Sequence, residues 1–557
     1  MPEEYLKVVY DSQNKIWKSV NYPYGDVTKL SLGEKFLQTM RSTDPTKIID
    51  HFYDKNILKS VKEVYEQAIL IAINLKQLGI KKGDCVIFFT LNNEWIAVLT
   101  FGCILCGAVP LYFEVHLDKE STSTLFDVVQ PMAMLYEEQY LQKIEESLKC
   151  CKNLKQTPHL IAINGEKEPN VKNLISMNPE SKPVDFANFR SVRIDDTKEE
   201  TAILVLTSGS TGLPKVVQLT HALVMHGVAM YWDNAENWEN IDENSVVFSF
   251  SPLRWISQIQ LLFQSMLFGL KRISSCIVTK QLGLELLRNS DITHFLGVPT
   301  LCYEILLLLD ENDTESLKSV RKVMFGGETP TKAVFELSIK HAVNATHYYR
   351  YGMSEMGSVI CCDRYFNGGK LMPGYELQIL DDRLQPLGVN KPGQIALRPP
   401  FPLKGYMSLD NSVYYNERGL FINGDYGFMD EYGKLHILAR YKNLIKFNCE
   451  VIIPDIFDAI LAYNIPEIYV ARLVGYRTTQ NDGNQVGACF VILKPNVTLS
   501  HAEISKKVMD TLKLHLNEKQ FPIIQDVHII DAIPTIAQGK DDRIALSKLA
   551  AAKSYNI

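Results

Sequence analysis

The chain lacks a basic excess. Its 557 residues carry 58 Lys and Arg against 64 Asp and Glu, a formal charge of −6, whereas proteins that neutralise nucleic-acid phosphates carry a surplus of cations. Nucleic acid is therefore not an expected partner, and any phosphate must be gripped by local groups. A disulfide framework is also missing. Eleven cysteines are scattered along the chain, and the adjacent pairs Cys150–Cys151 and Cys361–Cys362 match no framework or metal-knuckle spacing. The one CxxC, Cys103 to Cys106, lies in an apolar run without basic neighbours to lower a thiol pKa. It reads as small core hydrophobes, and a reducing compartment fits.

No secretory leader is expected, because MPEEYLKVVYDSQNKIW has neither a basic start nor an apolar run. The longest apolar stretch, Trp95 to Phe113, is interrupted by Gly102, Gly107 and Pro110 and follows the strand-like CVIFFTL. A buried helix feeding a second strand is expected there, not a membrane span. The closing SYNI is not the SKL peroxisomal address, so exclusion leaves an intracellular location, cytoplasmic in preference to peroxisomal. Solenoid-length repeats and low-complexity tracts are absent, which excludes scaffold architectures. Oligomeric state leaves no mark on the sequence.

What is present is the composition of a globular protein, 46% apolar and 22% charged, in a chain too long for one core. Apolar positions recur at helical spacing from about Asp50 to Ile80. A buried strand in KKGDCVIFFTLNN follows, and the alternation continues through AMLYEEQYL, HLIAIN and ETAILVLTSGS. That is the pattern of parallel sheets with crossover helices. Residues from Glu166 to Lys198 are polar and proline-punctuated, a surface connection. A second alternating block runs from Glu199 to Tyr375. Beyond it YELQILDD, GQIALR and KLHILAR are short strands between turns, the mark of a small antiparallel barrel-like unit. From Tyr441 mixed helix and strand resume, ending in a helical SKLAAAK.

The strongest chemical signal is LVLTSGSTGLPK, Leu204 to Lys215. An apolar strand runs into a loop of small residues whose N–H groups can approach a polyphosphate closely. Thr207, Ser208, Ser210 and Thr211 add hydroxyls between Gly209 and Gly212, and Lys215 offers a point charge to phosphate or a departing pyrophosphate. The spacing is not that of a P-loop. By itself such a loop is a flexible turn; the strand before it and the motifs after it reverse that reading.

TSGSTGLPK followed by LTH resembles the signature loop of the adenylate-forming superfamily, which includes acyl-CoA synthetases, coumarate ligases and beetle luciferases. FGGETP, Phe325 to Pro330, is similar to the segment that lines adenine in that family, which implicates Gly327, Glu328 and Thr329. RYGMSEMGS, Arg350 to Ser358, matches the next segment. There the resemblance puts an adenine-stacking aromatic at Tyr351, followed by Gly352, Met353 and Ser354, and a magnesium-holding acid at Glu355. NGDYGFMDEYGKLHILAR resembles the motif in which an aspartate binds the ribose hydroxyls and an arginine meets phosphate or ribose, here Asp425 and Arg440. A carboxylate suits a diol because it accepts two hydrogen bonds at once, and an arginine presents a fork to phosphate. IPTIAQGKDDRIALSKL resembles the closing motif, whose lysine, here Lys540, reaches the carboxylate and the α-phosphate during adenylation. A positioned cation stabilises the charge that builds in that step.

The resemblance spans roughly Asp50 to Leu549 with the motifs in family order, and LGVNKPGQIALR is closest to the luciferase and coumarate ligase branch. It implies an α/β protein. A large N-terminal domain at 1–439 would hold two α/β sheets, about 1–200 and 200–375, plus a β-barrel at 376–439; a smaller mobile α+β lid would follow at 440–557. It implies ATP, magnesium and coenzyme A as cofactors and a fatty or aromatic carboxylic acid as substrate. The acyl pocket would include Trp255 and Val298, and the coenzyme A path Lys446, Cys449 and Glu450.

The chain departs from the pattern in four places. Val216 stands where relatives carry glycine after the loop lysine. SPLRWISQ replaces the aromatic or histidine-bearing gate, which counts against light emission. Ala439 replaces a hinge aspartate, and Cys449 replaces a glycine in the loop that lines the pantetheine path. The expected activity is an AMP-forming acid–thiol ligase. The rivals are a luciferase-type monooxygenase that oxidises its own adenylate and a non-catalytic acyl or nucleotide binder.

Overall fold

The computed structural model describes residues 7–19, 28–165, 169–176, 183–207, 213–232, 241–277, 279–328, 330–362, 368–447, 450–477, 484–495, 497–535 and 541–554. The alternating apolar segments form two large sheets. The first has six strands, in the order Val216–Thr220, Thr201–Leu206, Val109–Tyr112, Cys85–Phe89, Ala133–Tyr136 and His159–Ala162. Neighbours are parallel except the first two, which form an antiparallel hairpin.

The second sheet has fifteen strands. Its parallel part runs Ile48–Phe52, Lys271–Ser274, Val246–Ser249, His294–Gly297, Lys322–Gly326 and Thr346–Met353. The sheet then turns antiparallel through Gly357–Cys362 and Gly369–Leu371 into Lys434–Arg440, Phe421–Met429, Gly393–Arg398 and Glu376–Leu380. An N-terminal hairpin, Val8–Asp11 with Ile16–Ser19, pairs on the far edge. The barrel-like unit expected at 376–439 is therefore hydrogen-bonded into the second α/β sheet. A division of the chain near residue 200 also coincides with neither sheet: Ile48–Phe52 crosses into the second, and Thr201–Leu206 pairs in parallel with Val109–Tyr112 in the first.

The helical spacing read over Asp50–Ile80 is realised only from Val61. Before it, Ile48–Phe52 and Ile57–Ser60 form an antiparallel hairpin whose turn places Asn56 at a left-handed φ of 50°, a conformation asparagine tolerates better than most residues. Helix Val61–Gln77 starts at a capping box: Ser60 Oγ accepts from the Glu63 N–H while the Glu63 carboxylate accepts from the Ser60 N–H, which satisfies donors the first turn leaves open. The apolar run after Trp95 does form a helix, Ile96–Cys106, buried on every side and ended by Gly107 at φ +83°. Cys103 and Cys106 lie within it, and burial pushes the Cys106 thiol up to about 11, so neither is poised for redox chemistry. Among the described residues no helix is long and apolar enough to cross a membrane.

One apolar cluster joins both sheets through helices Leu32–Ser42, Val61–Gln77, Ile96–Cys106, His221–Ala229 and Ile256–Phe268. Within it the Phe36 and Phe101 rings stack at 4.3 Å, and each such buried side chain contributes about 1.5–3 kcal/mol. Groups carried by the two sheets are thereby held in fixed relation. The C-terminal segment builds its own core around a three-stranded sheet, Ile468–Tyr476, Val486–Leu493 and Ile524–Ile529, backed by helices Pro454–Asn464 and His501–His515.

Candidate active site

The loop that carries the strongest sequence signal is bracketed by a hairpin. Leu206 pairs with Val216; the Thr207 N–H donates to the Lys215 carbonyl at 2.9 Å, and the Lys215 N–H donates to Thr207 Oγ1 at 3.0 Å. Val216, the departure from the family glycine, is buried in the sheet. Residues Ser208, Gly209, Ser210, Thr211 and Gly212 lie outside the described residues, as do Thr329, Cys449 and Lys540. The ammonium of Lys215 stands 4.3 Å from the Tyr414 ring centre and 4.7 Å from that of Tyr406, so aromatic faces hold the charge at the hairpin's mouth. Segment 405–407 pairs along this hairpin, with the Met407 N–H donating to the Val216 carbonyl at 2.8 Å.

Asp425 and Arg440 sit directly opposite each other on the antiparallel strands Phe421–Met429 and Lys434–Arg440. Arg440 Nε meets Asp425 Oδ1 at 2.9 Å, a cross-strand pair fixed by register. The other oxygen, Oδ2, accepts from the Tyr351 hydroxyl and, at 3.3 Å, from Asn423 Nδ2. Asn423 Nδ2 also donates to the Tyr351 oxygen at 2.7 Å. Tyr351 arrives from the parallel strand Thr346–Met353, whose pairing with Gly357–Cys362 is offset between Tyr351 and Gly352; such bulges re-aim side chains at sites. Burial, then the Asp425 charge, holds the Tyr351 phenol well above its ordinary pKa. It therefore stays a donor.

Glu355 follows in the turn and accepts from the Tyr406 hydroxyl at 2.5 Å. Burial and then Glu355 raise the Tyr406 phenol strongly. Tyr406 thus links the carboxylate assigned to magnesium with the ammonium of Lys215. Among the described residues no group of three His, Cys, Asp or Glu side chains could hold a metal by itself. A lone carboxylate beside a polyphosphate loop suits magnesium, which keeps most of its water and takes one or two carboxylates together with substrate phosphates.

These groups share one cavity of about 610 Å³. Its wall includes Thr207, Lys215, Gly327, Glu328, Tyr351, Gly352, Met353, Ser354, Glu355, Asp425 and Arg440, with Trp255 on one side. Gly327 has φ +86°, and a Cβ there would lie 2.9 Å from Trp255 Cζ3, so the indole occupies the space that a larger residue would need. Asp541, Asp542, Arg543 and Ile544 line the same cavity from the C-terminal segment, as does Ala439 at the strand end. Three of the residues read from sequence stand elsewhere. Val298 caps the start of helix Pro299–Leu306 off the wall, and Leu296 lines the cavity instead. Lys446 and Glu450 do not line it either: Glu450 is in a hairpin opposite Phe447, and Lys446 Nζ binds the Asp382 carboxylate at 3.1 Å and the Tyr441 hydroxyl at 2.7 Å.

Sequence reading missed Tyr406, Tyr414, Asn423, Arg254 and Gln260. The available signal was chemical: Tyr406, Tyr414 and Tyr415 cluster in a polar, turn-rich stretch where aromatics have no strand pattern to serve.

Fold and site together fit a nucleotide-binding enzyme class, in which both ends of the Thr207–Lys215 hairpin, a tyrosine and an aspartate–arginine pair line one cleft. The chain belongs to the AMP-binding enzyme family, whose pattern matches residues 38–407. It is 26% identical over 504 residues to 4-coumarate–CoA ligase 3 of Oryza sativa subsp. japonica, covering 86% of this chain and 85% of that protein. It is 24% identical over 498 residues to luciferin 4-monooxygenase of Photinus pyralis, covering 87% and 88%. Among solved structures, a benzoate CoA ligase from Burkholderia xenovorans superposes with a TM-score of 0.78 at 19% identity, covering 93% of this chain and all of that one.

Proposed function

We propose that the protein is an ATP-dependent acid–thiol ligase. A carboxylate oxygen of the substrate attacks the α-phosphorus of ATP and the bond to pyrophosphate breaks, giving an acyl-adenylate. The thiol of coenzyme A then attacks the acyl carbonyl carbon, AMP leaves, and the thiol proton passes to solvent. The observation that carries the reading is the convergence of Arg440 and Tyr351 on the Asp425 carboxylate in the cavity that also receives Lys215 and Glu355. The relatives named for coumarate and benzoate CoA ligation support it.

In this reading Asp425 accepts from the ribose hydroxyls, Tyr351 packs on adenine with Gly327 and Glu328 nearby, and Arg440 meets ribose or phosphate. Lys215 and the hairpin hydroxyls hold the β- and γ-phosphates. Magnesium at Glu355 supplies charge neutralisation to those phosphates when bound. Lys540 brings its ammonium to the reacting oxygens. The chain divides near Arg440 into a large unit and a lid, and Lys446, Cys449 and Glu450 serve the thioester step after the lid has turned.

The test is pyrophosphate exchange into ATP by the full chain across a panel of fatty and aromatic acids, with and without coenzyme A. Exchange is expected with at least one acid, with AMP and thioester formed in equal amounts once the thiol is added. Lys540→Ala should lower the exchange rate about a hundred- to a thousandfold, the usual loss for a donor to developing charge. Absence of exchange with every acid overturns the proposal. Uptake of oxygen in place of thioester formation would redirect it to the monooxygenase chemistry.

A further inference from the structure

Four arginines among the described residues line the cavity, and one of them has no task so far. Arg254 lies in the loop after strand Val246–Ser249, with its side chain 16% exposed. Its Nε is paired with the carboxylate of Glu114, which is fully buried and whose Oε1 accepts from the His116 N–H at 3.2 Å. The two Nη groups bond to no described residue. Asp425 holds the Nε of Arg440 in the same manner, at 2.9 Å. The other two arginines are spent: the Nη groups of Arg350 donate to Met372 Sδ at 2.8 Å and the Met230 carbonyl at 3.1 Å, and those of Arg543 to the Leu473 carbonyl at 2.7 Å and Asp455 at 3.0 Å.

The Glu114–Arg254 pair joins the two sheets, because Glu114 follows strand Val109–Tyr112 of the first and Arg254 follows a strand of the second. A latch alone does not need charges. Replacing a buried ion pair by apolar residues of similar volume is often neutral or stabilising, and an apolar cluster already ties the sheets together. A carboxylate buried this completely carries a desolvation cost. What it secures in return is the orientation of one planar fork, whose free donors belong to a residue on the cavity wall.

That fork is anchored at the sheet edge from which the Thr207–Lys215 hairpin departs. Leu111 pairs in parallel with Leu204, so Glu114 and Thr207, each three residues further on, leave the same edge of neighbouring strands about 4.8 Å apart. Leu206, Thr207, Lys215 and Arg254 accordingly line one cavity. Lys215 supplies a point charge, resting against two aromatic rings. A guanidinium adds what an ammonium lacks, two parallel donors matched to a pair of phosphate oxygens.

We propose that Arg254 is a binding residue for the polyphosphate: its Nη groups bond oxygens of the β- and γ-phosphates of ATP, and of the pyrophosphate that departs, and Glu114 is the positioning residue that aims them. This rests on the acid-ligase reading. It adds a second cation beside Lys215 and gives a task to SPLRWISQ, the loop that departs from the family's gate. The carboxylate of the acid offers the fork the same oxyanion chemistry, so the experiment separates the two.

The test compares dissociation constants of ATP, pyrophosphate and AMP, measured calorimetrically on the full chain with magnesium and without acid, so that no turnover intervenes. Arg254→Met should weaken ATP and pyrophosphate about tenfold to a hundredfold, the usual loss for a hydrogen bond to a charged group, and leave AMP close to the wild type. Arg254→Lys, which keeps the charge and loses the fork, should fall between. Glu114→Gln should weaken ATP relative to AMP in the same direction, whereas a mere latch between sheets would move all three ligands together or none. Arg254→Met strands a buried carboxylate and is the variant at risk of misfolding; Arg254→Met combined with Glu114→Gln removes both charges and carries the same expectation. Wild-type affinities for ATP and pyrophosphate in the Arg254 variants overturn the inference. So does a loss confined to the acid, titrated in the presence of AMP, which would assign the fork to the carboxylate. Exchange activity with phosphate affinities indifferent to Arg254 would sink this inference and leave the ligase reading standing. Arg254-dependent pyrophosphate binding in a protein that exchanges with no acid would do the reverse, and failure of the wild type to bind ATP or pyrophosphate overturns both.

Discussion

Two carboxylate–cation pairs flank the stretch where the large unit meets the C-terminal segment, and they differ in almost everything except length. Asp425 and Arg440 are 2.9 Å apart, and the aspartate side chain is 6% exposed. Asp382 and Lys446 are 3.1 Å apart, and that aspartate side chain is 70% exposed. The first pair joins two neighbouring strands of one sheet. The second bridges a turn after strand Glu376–Leu380 and the hairpin Ile445–Phe447, with Tyr441 adding its hydroxyl. A buried carboxylate held by several donors, here with a half-exposed arginine as one of them, is a template that keeps its shape when a ligand arrives. An exposed pair between flexible side chains is worth at most about 1 kcal/mol and yields to salt. That weakness fits the joint proposed near Arg440, which the reading requires to open.

The largest expected effect comes from removing the buried carboxylate. Asp425→Ala leaves Arg440, Tyr351 and Asn423 without their shared partner and, in the proposed reading, removes the acceptor for two ribose hydroxyls. Each hydrogen bond to a charged group contributes about 1.5–3 kcal/mol, so kcat/KM for ATP should fall at least about a hundredfold, with the acid's own KM much less affected. Steady-state kinetics with each substrate varied in turn will show it. A change below about fivefold would mean that the carboxylate does not meet the nucleotide.

A third pair, inside the C-terminal segment, sharpens the contrast through pH. Arg543, at the start of the last helix, binds Asp455 at 3.0 Å and also Asp458, whose side chain is 8% exposed. Burial pushes the Asp458 carboxyl up to about 6, against the opposing pull of Arg543. A raised acid favours the protonated folded form, so its stabilising contribution is complete below about pH 4 and is lost as pH rises through about 6. At about 1.4 kcal/mol per pKa unit, the wild type should lose roughly 3 kcal/mol relative to Asp458→Asn between those limits. Urea unfolding of both proteins at several pH values measures the difference. A constant gap across that window would place the titration elsewhere.

What could be read in advance follows the same division. Groups close together in the chain, or opposite each other in one hairpin, were legible: Thr207 with Lys215, Tyr351 with Glu355, Asp425 with Arg440. The α/β fold class and the family were legible too, because buried parallel strands write continuous apolar runs and the motifs lie in linear order. Groups placed by tertiary packing left no linear trace. Gln260 reaches the cavity wall from helix Ile256–Phe268, and Tyr406 reaches Glu355 because its segment pairs with the Thr207–Lys215 hairpin. The hairpin at Ile48–Ser60 was read as helix because its apolar spacing fits both periods, and only the capping pair Ser60 and Glu63 marks the true start. Val298 was placed on the wall by its neighbours in sequence, but the N-cap geometry turns the chain so that Leu296 takes that position.

The smallest effect is the most informative about the joint. Asp382→Ala removes the acceptor from Lys446 and Tyr441 without touching the cavity wall. Because the pair is exposed, stability should change by no more than about 1 kcal/mol. If the contact holds the lid in the orientation seen here, in which Asp541–Ile544 line the nucleotide cavity, its loss frees Lys446 and tilts the balance toward the other orientation. The expected signature is a ratio of thioester formation to pyrophosphate exchange that rises about two- to fivefold at low ionic strength, with no such rise at about 1 M salt, where the Debye length falls to about 3 Å and the wild-type pair is already screened. Equal effects on both half-reactions, or an effect that ignores salt, would show that Asp382 supports the barrel and does not govern the joint.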